Sequence, residues 1–267
     1  MKNDALGDRM KRYEAVPKLY LMRRTPVILR LDGRAFHTFT RGLEKPFDTT
    51  FVRVMQNTML DLCENIQGCV LGYTQSDEIT LVLTDYKTLE TDAWFGYNLQ
   101  KIVSVSASMA TMAFNREWDC IISEKMQDRR SKYSAEAWLE LDRLAMYQDR
   151  LYSATFDARA FNIPFEEVTN CILWRQNDAI RNSIEAVGQA YFSASQLHEK
   201  STKEIVEMLK KEGVYWENLP RHLQRGSCCI KVQEEGEVHE KWKLDLEIPI
   251  FKKDGRAYIE DRIQIGD

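Results

Sequence analysis

Apolar and polar residues form blocks between Val70 and Leu83, where two apolar runs flank the polar centre Thr74 to Glu78. Runs rich in β-branched residues around a short polar stretch are typical of two strands joined by a tight turn. A third apolar run, Val27 to Leu31, is interrupted only by a single arginine and ends in Asp32-Gly33-Arg34. It predicts another strand, one that opens into a loop at the aspartate.

Apolar residues recur at steps of three or four in the segments around these strands, which indicates helices. Residues 49 to 66 follow Asp48, an expected helix N-cap, and their apolar positions are Phe51, Met55, Met59, Leu62 and Ile66. Further helices are expected within residues 1 to 24, from Tyr97 to about Asn115, from Pro164 to about Phe192, and from Ser201 to Gly213.

The order of strand, helix and hairpin predicts an α/β protein with an antiparallel sheet and helices on one face. Residues 116–152 are expected to form a helical insertion. Three later runs predict the strands of a β-rich C-terminal extension: Cys228 to Val232, Trp242 to Ile250 and Ala257 to Ile265. We therefore expect a single domain over residues 1–267, with its core at residues 25–115 and 153–192 and the extension from about residue 193.

Composition limits the classes of function. The chain of 267 residues is 44% hydrophobic, enough for a core, and its formal net charge of −4 gives no general attraction to a polyanion. An RNA partner would need local basic patches such as residues 1–24, although a solvated helix face explains that segment equally well. The six cysteines lack zinc-ligand spacing and indicate reduced thiols. With neither a signal peptide nor a membrane-spanning run, we expect a cytoplasmic location and no membrane partner.

Carboxylates at two strand ends provide the first chemical hypothesis. Asp32 ends one predicted strand, and Asp77 and Glu78 lie at the predicted hairpin turn. Two carboxylates from neighbouring strand ends, with a glycine that lets backbone approach, are typical of a Mg²⁺ site beside a phosphate chain. Each motif alone is also an ordinary turn signal. Their joint occurrence favours the metal site, with Asp77 facing the ligand and Glu78 supporting it from beside.

Three motifs in this order resemble the tRNA-histidine guanylyltransferase family and its bacterial, archaeal and viral relatives. They are Arg30-Leu-Asp-Gly-Arg-Ala-Phe-His37, Lys45-Pro-Phe-Asp48 and Tyr73-Thr-Gln-Ser-Asp-Glu78. The similarity continues more weakly through Phe156-Asp-Ala-Arg159 and Trp174-Arg-Gln-Asn-Asp178. The resemblance implies a polymerase-type palm and nucleotide addition to the 5′ end of a tRNA in the 3′-to-5′ direction, with ATP and GTP or other NTPs as substrates.

The resemblance also implies roles for individual residues. Two Mg²⁺ ions would be held by Asp32, Asp77 and the Gly33 carbonyl, with Glu78 as a further catalytic candidate. The nucleotide-binding residues would be Arg30, Arg34, Ala35, Phe36, His37, Lys45, Asp48, Ser76 and Lys101. RNA contacts would come from Arg175, Arg181 and Asn182. The family suggests a homo-oligomer, specifically a tetramer.

One departure from the family pattern concerns tRNA selection. Ile180 stands where the family has a histidine after Trp-Arg-Gln, and Glu185 replaces an aromatic residue, while Asn182 is retained. This favours the relatives that repair shortened tRNA 5′ ends over those selective for tRNA-histidine. Two other classes stay open from the residues alone: a nucleotide cyclase, whose palm also carries acidic residues on a hairpin, and a non-catalytic RNA-binding protein.

Overall fold

A computed structural model describes residues 4–130, 137–233, 236 and 239–264, with the backbone alone at residues 128–130 and 137–141. Six strands in the described residues form one sheet in the order β4-β1-β3-β2-β5-β6, and every neighbouring pair is antiparallel. Their bounds are β1 Val27–Gly33, β2 Cys69–Gln75, β3 Glu78–Leu83, β4 Phe156–Asn162, β5 Ser227–Val232 and β6 Lys241–Asp245. The predicted hairpin is therefore β2 and β3, at the centre of the sheet.

The longer helices precede, separate and follow these strands along the chain. They are α1 Ala5–Ala15, α3 Thr49–Asn65, α4 Leu99–Arg130, α5 Ala137–Gln148, α6 Val168–Tyr191, α8 Thr202–Lys211 and α10 Ala257–Ile263. Short helices occur at α2 Phe36–Phe39, α7 Ala194–Leu197 and α9 Arg221–Arg225. None of the helices in the described part of the chain is long and apolar enough to cross a lipid bilayer.

Helices cover both faces of the sheet, so the expectation of helices on one face is wrong. Val27, Leu29 and Leu31 of β1 belong to a core that includes residues of α3 and α4. Ile28, which points to the opposite face, belongs to a second core with residues of α6 and α10. The continuous apolar run of β1 has this cause, because a strand buried on both faces needs apolar residues at every position.

Helix α3 shows why the local prediction succeeded. Asp48 caps it, since one carboxylate oxygen accepts a hydrogen bond from the backbone N–H of Phe51 at 3.0 Å. The five predicted apolar positions are all buried against the sheet and α4. The capping box that begins α8 is also confirmed, with Ser201 and Glu204 satisfying each other's backbone groups.

Two boundaries differ from the predictions. Helix α4 does not end near Asn115 but continues to Arg130, because Trp118, Ile121 and Ile122 extend its buried side. The predicted insertion therefore comprises the second half of α4 and α5, and residues 131–136 within it lie outside the described residues. The strand predicted to end at Ile250 ends at Asp245 instead.

The C-terminal extension is less β-rich than predicted. Strand β5 matches its prediction, and β5 and β6 extend the central sheet beside β2. The run from Ala257, however, is the helix α10 and not a strand, although Ile265 lies outside the described residues. Ile259 and Ile263, four residues apart, are both fully buried, and this spacing places them on one side of a helix.

Candidate active site

A row of three carboxylates crosses the end of the sheet. Asp32 on β1 pairs with Glu78 on β3 to one side and with Asp157 on β4 to the other. Directly opposed residues of an antiparallel pair point to the same face, so Asp157, Asp32 and Glu78 form what we call the carboxylate row. It lies on the α6 face of the sheet, since Ile28 of that core is four residues before Asp32 on the same strand.

Asp77 joins this row from the hairpin turn. The backbone N–H of Gly33 donates to the carbonyl oxygen of Asp77 at 3.0 Å, which holds the turn against the end of β1. Ser76 has a left-handed backbone with φ 51°, so the chain reverses immediately before Asp77. Gly33 is required at this contact, because a Cβ there would lie 2.4 Å from the ring of Phe36.

The charges of Asp32 and Asp77 are not fully compensated by the protein. Burial raises the pKa of Asp32, and the neighbouring carboxylates Glu78 and Asp157 raise it further, against the smaller effects of Arg159 and Arg30. Burial also raises the pKa of Asp77, and the charge of Asp32 adds to this effect. Two partly buried carboxylates that repel each other have the donor chemistry that a divalent cation requires.

Glu78 has a different environment from its neighbour Asp77. One carboxylate oxygen accepts from Nη2 of Arg30 at 2.7 Å, and the other accepts from Nε of Arg175 at 2.7 Å and from the Thr80 hydroxyl at 3.2 Å. Glu78 and Arg175 are both buried. The oxygens of Glu78 are thus occupied by protein donors, which supports the bracing role and not direct catalysis.

The guanidinium of Arg175, a predicted RNA contact, is engaged within the protein in this structure, so the RNA contact stays a prediction. Its guanidinium is buried and bonded to Glu78 and, at 3.0 Å, to Asp178. Burial alone would lower the pKa of Arg175, but the charges of Glu78 and Asp178 raise it overall. Arg30, a predicted nucleotide contact, is likewise directed at Glu78. Arg181 and Asn182 are exposed, although Arg181 also bonds Asp178.

A cavity of about 290 Å³ adjoins the hairpin turn and collects several of the predicted phosphate-binding residues. It lies between residues 40–56, the turn, α6 and the segment from His222 to Ser227. Lys45, Ser76 and Asn182 lie in three separate segments of the sequence, and all three line this cavity. Lys101 is not among the described residues that line this cavity. It is exposed in the first turn of α4, with Nζ 5.6 Å from the ring centroid of Phe95.

Two of the predicted nucleotide contacts have side chains that are engaged within the protein. The ring of Phe36 is buried in an aromatic cluster, 5.3 Å from Phe114 and 5.1 Å from Phe156 between centroids. The carboxylate of Asp48 is buried and accepts from Tyr147 Oη at 2.7 Å besides capping α3. Asp48 nevertheless lines the cavity, and a nucleotide contact from either residue stays a prediction.

The remaining loop candidates are available. Arg34, Ala35 and His37 are exposed around the start of α2, beside the end of β1. Ala35 has a left-handed backbone with φ 56°, which turns the chain from strand to helix directly after Asp32 and Gly33. These three residues therefore border the carboxylate row.

Sequence reasoning missed other residues of the site. The sequence analysis gave Asp157 and Arg159 no role beyond the weaker resemblance, yet Arg159 lies 3.1 Å from Asp157 and 3.7 Å from Asp32. Their alternation in the strand was a usable signal, because residues two apart share a face. His222 lines the cavity, and burial lowers its pKa, but nothing in its local sequence pointed to a site.

The protein would supply only part of a metal ion's coordination shell at this site. Among the described residues, no group of three or more histidine, cysteine or acidic side chains is arranged to hold a metal ion. Mg²⁺ commonly takes one or two carboxylates and completes its shell with waters and substrate phosphates. Asp32, Asp77 and the backbone oxygen of Gly33 fit that smaller set.

The architecture and the site define a class: an antiparallel-sheet protein with paired acidic residues beside a cavity that carries a lysine and a serine. Solved structures of a bacterial tRNA(His) guanylyltransferase (Thg1)-like protein have this architecture. The complex with ATP has a TM-score of 0.81 and 40% identity, covering 98% of this chain and 100% of that one. The complex with GTP has a TM-score of 0.78 and 39% identity over the same shares.

Sequence comparison gives the same family. A probable tRNA(His) guanylyltransferase of Dictyostelium discoideum is 26% identical over 80% of this chain and 79% of its own length. The family model of tRNAHis guanylyltransferase (Thg1) matches residues 7–164, more than half of the chain. The chain belongs to the tRNAHis guanylyltransferase family.

Proposed function

We propose that this protein is a nucleotidyltransferase that adds nucleotides to the 5′ end of a tRNA in the 3′-to-5′ direction. The observation that carries the proposal is the pairing of Asp32 with Asp77 beside a cavity lined by Lys45 and Ser76. Membership of the tRNAHis guanylyltransferase family supports the tRNA substrate. The ATP and GTP complexes of the bacterial relative support nucleoside triphosphates as the other substrate.

The reaction joins the 3′-hydroxyl of an incoming NTP to an activated 5′ phosphate of the tRNA. The activated 5′ end is either an existing triphosphate or an adenylylated phosphate. Attack by the 3′-hydroxyl releases pyrophosphate from the first and AMP from the second. Asp32, Asp77 and the Gly33 carbonyl would hold two Mg²⁺ ions, which neutralise developing charge on the phosphates when bound. The raised pKa values of the two carboxylates fit this assignment, because burial raises both and the negative charge of neighbouring carboxylates adds to the effect.

Other residues of the chain would bind and orient the phosphates. Lys45 and Ser76 share the cavity and offer an ammonium and a hydroxyl to phosphate oxygens. Arg34, His37 and Lys101 are exposed cationic or titratable groups that can approach the nucleotide from outside the cavity. Glu78 holds the turn that carries Ser76 and Asp77, through its bonds to Arg30 and Arg175.

The partner assignments extend this proposal. Arg181, Asn182 and the basic segment of α1 are the candidate RNA contacts, since each offers exposed polar or cationic groups. Assembly into a homo-oligomer, with four copies as the family resemblance implies, and a cytoplasmic location are part of the same proposal.

The decisive experiment incubates the purified protein with a 5′-truncated tRNA, Mg²⁺ and labelled NTPs. Lengthening of the tRNA at its 5′ end is expected, with none after chelation of the metal and none in Asp32→Ala. A cyclic or dinucleotide product formed from NTP without tRNA would identify a cyclase instead. Binding of tRNA without any extension would identify a non-catalytic RNA-binding protein.

A further inference from the structure

Trp174 is an exposed aromatic residue with a defined support. It lies on α6, and 54% of its surface is accessible. The guanidinium carbon of Arg175 lies 4.4 Å from the indole centroid, and that of Arg30 lies 5.3 Å from it. Among the described residues, no other ring has two cationic side chains over it. More than half of the residue still faces solvent.

The two guanidinium groups that contact the indole are held in place. Arg30 and Arg175 are both fixed by the same buried carboxylate, that of Glu78, at 2.7 Å each. Arg175 is additionally held by Asp178 on the next turn of α6. A ring that already contacts fixed guanidinium groups loses little further freedom when a planar group stacks on its exposed surface.

The indole stands close to the carboxylate row. Arg30, which it covers, is two residues before Asp32 on β1 and on the same face of the sheet. Two residues along a strand span about 7 Å. A planar group on Trp174 would therefore lie within one nucleotide of a phosphate held beside Asp32.

Two exposed arginines near the indole, each also paired with a carboxylate, offer cationic groups to a nucleic acid backbone. Arg159 pairs directly opposite Arg30 in the sheet, and its side chain is half exposed. Arg181 is exposed on α6, two turns after Trp174. An aromatic surface beside exposed arginines is the combination that binds single nucleotides by stacking and phosphate contact.

We propose that Trp174 is a stacking platform for a nucleobase of the substrate. The proposal rests on the proposed function, which supplies two sources of that base: the incoming NTP and the 5′ end of the tRNA. Stacking accepts any base, because every base has a π face. The platform thus serves addition of different nucleotides and does not select among them.

The experiment compares Trp174→Leu and Trp174→Phe by equilibrium binding in two arms. One arm uses a non-hydrolysable NTP with Mg²⁺, and the other uses a 5′-truncated tRNA. Leucine keeps apolar cover over the guanidinium groups but has no π system, whereas phenylalanine retains one. We expect Trp174→Leu to weaken binding about tenfold in one arm, which identifies the source of the base, and Trp174→Phe to lose less than threefold in that arm.

Tyr191→Leu is the matched control. Tyr191 is at the end of the same helix, is 55% exposed, and lies 17 residues from Trp174. It should leave both arms unchanged. Three results would overturn the proposal. They are an equal loss of affinity in Tyr191→Leu and Trp174→Leu, an equal loss in Trp174→Phe and Trp174→Leu, and no loss in either arm.

A second measurement remains informative if Trp174→Leu fails to fold. Stacking of a base quenches indole fluorescence, so binding of the NTP analogue or the tRNA should quench the wild-type protein more than Trp174→Phe. Equal quenching would overturn the platform. Failure of this proposal can be told apart from failure of the proposed function. If the wild-type protein extends tRNA and the Trp174 variants bind with unchanged affinity, only the stacking platform is rejected. Absence of wild-type extension rejects the proposed function, whereas the binding arms still test stacking.

Discussion

Asp77 and Glu78 are neighbours in the chain, yet the structure gives the two carboxylates opposite environments. Glu78 is buried between two arginines, with each of its oxygens engaged by protein donors. Asp77 lies in the turn, and its strongest charged neighbour is another carboxylate, Asp32. The comparison teaches that one of the adjacent acids stabilises the hairpin and the other is available for a ligand. The variants below test this division from the largest expected effect to the smallest.

The largest effect is expected from removing an available carboxylate. Asp32→Ala or Asp77→Ala should lower the rate of nucleotide addition by about 1,000-fold or more, since a metal ligand contributes several kcal/mol to stabilising the transition state. The melting temperature should not fall, because each change relieves repulsion between carboxylates. Rates are measured on a 5′-truncated tRNA alongside a thermal melt. Near-normal turnover by either variant would reject the metal assignment.

Glu78→Ala should instead destabilise the fold. The change leaves Arg30 and Arg175 without their shared partner, and breaking a buried ion pair costs about 3–5 kcal/mol. Denaturant unfolding measures this loss, with Asp77→Ala as the control at the neighbouring position. A stable Glu78→Ala protein that has lost only activity would assign Glu78 to the chemistry and remove the distinction between the two acids.

Lysine variants extend the comparison to the cavity. Lys45→Ala should raise the KM for NTP about tenfold, because an ammonium that neutralises phosphate oxygens within a cavity is lost. Both lysines are exposed, but Lys101 lies outside the described cavity lining, so Lys101→Ala should act in the same direction and less. Binding of tRNA should change little in both. A fall in tRNA affinity with an unchanged KM for NTP would place these lysines on the RNA surface.

The smallest effect concerns the anticodon. Ile180 is partly buried and packs on the small apolar cluster of Ile184, Val187, Ile205 and Leu209. An apolar side chain offers no hydrogen bond to a base edge, so rates on 5′-truncated transcripts should differ less than threefold when the histidine anticodon is exchanged. The comparison is made at two salt concentrations, since affinity that rests on phosphate contacts falls with salt. A strong preference for the histidine anticodon would contradict the inference.

Local patterns predicted the parts of the fold that depend on neighbours in sequence. The central hairpin, α3 with its Asp48 cap, and α8 with its capping box all follow from residues within a few positions of one another. The C-terminal run from Ala257 was mistaken for a strand because apolar residues there fit both periods over so short a distance. Ile259 and Ile263 are four residues apart and both are buried, which is the spacing of one side of a helix.

The sequence could not reveal which polar groups are used up within the protein. Glu78 and Arg175 are 97 residues apart, and their contact depends on how α6 packs across the sheet. The bond between Tyr147 and Asp48 spans 99 residues in the same way. Arg175 and Asp48 therefore seemed free to bind a ligand when only their motifs were visible. The row position of Asp157 likewise needed the register of β1 with β4.

The most direct test of the division between Asp77 and Glu78 is a Mn²⁺ titration followed by electron paramagnetic resonance, with a non-hydrolysable NTP present. Mn²⁺ accepts the same carboxylate and water ligands as Mg²⁺. The wild-type protein should bind Mn²⁺, and Asp77→Asn, which keeps the size of the side chain, should lose at least one bound ion while melting at the wild-type temperature. Retention of the full Mn²⁺ stoichiometry in Asp77→Asn would contradict the assignment of this carboxylate to the metal.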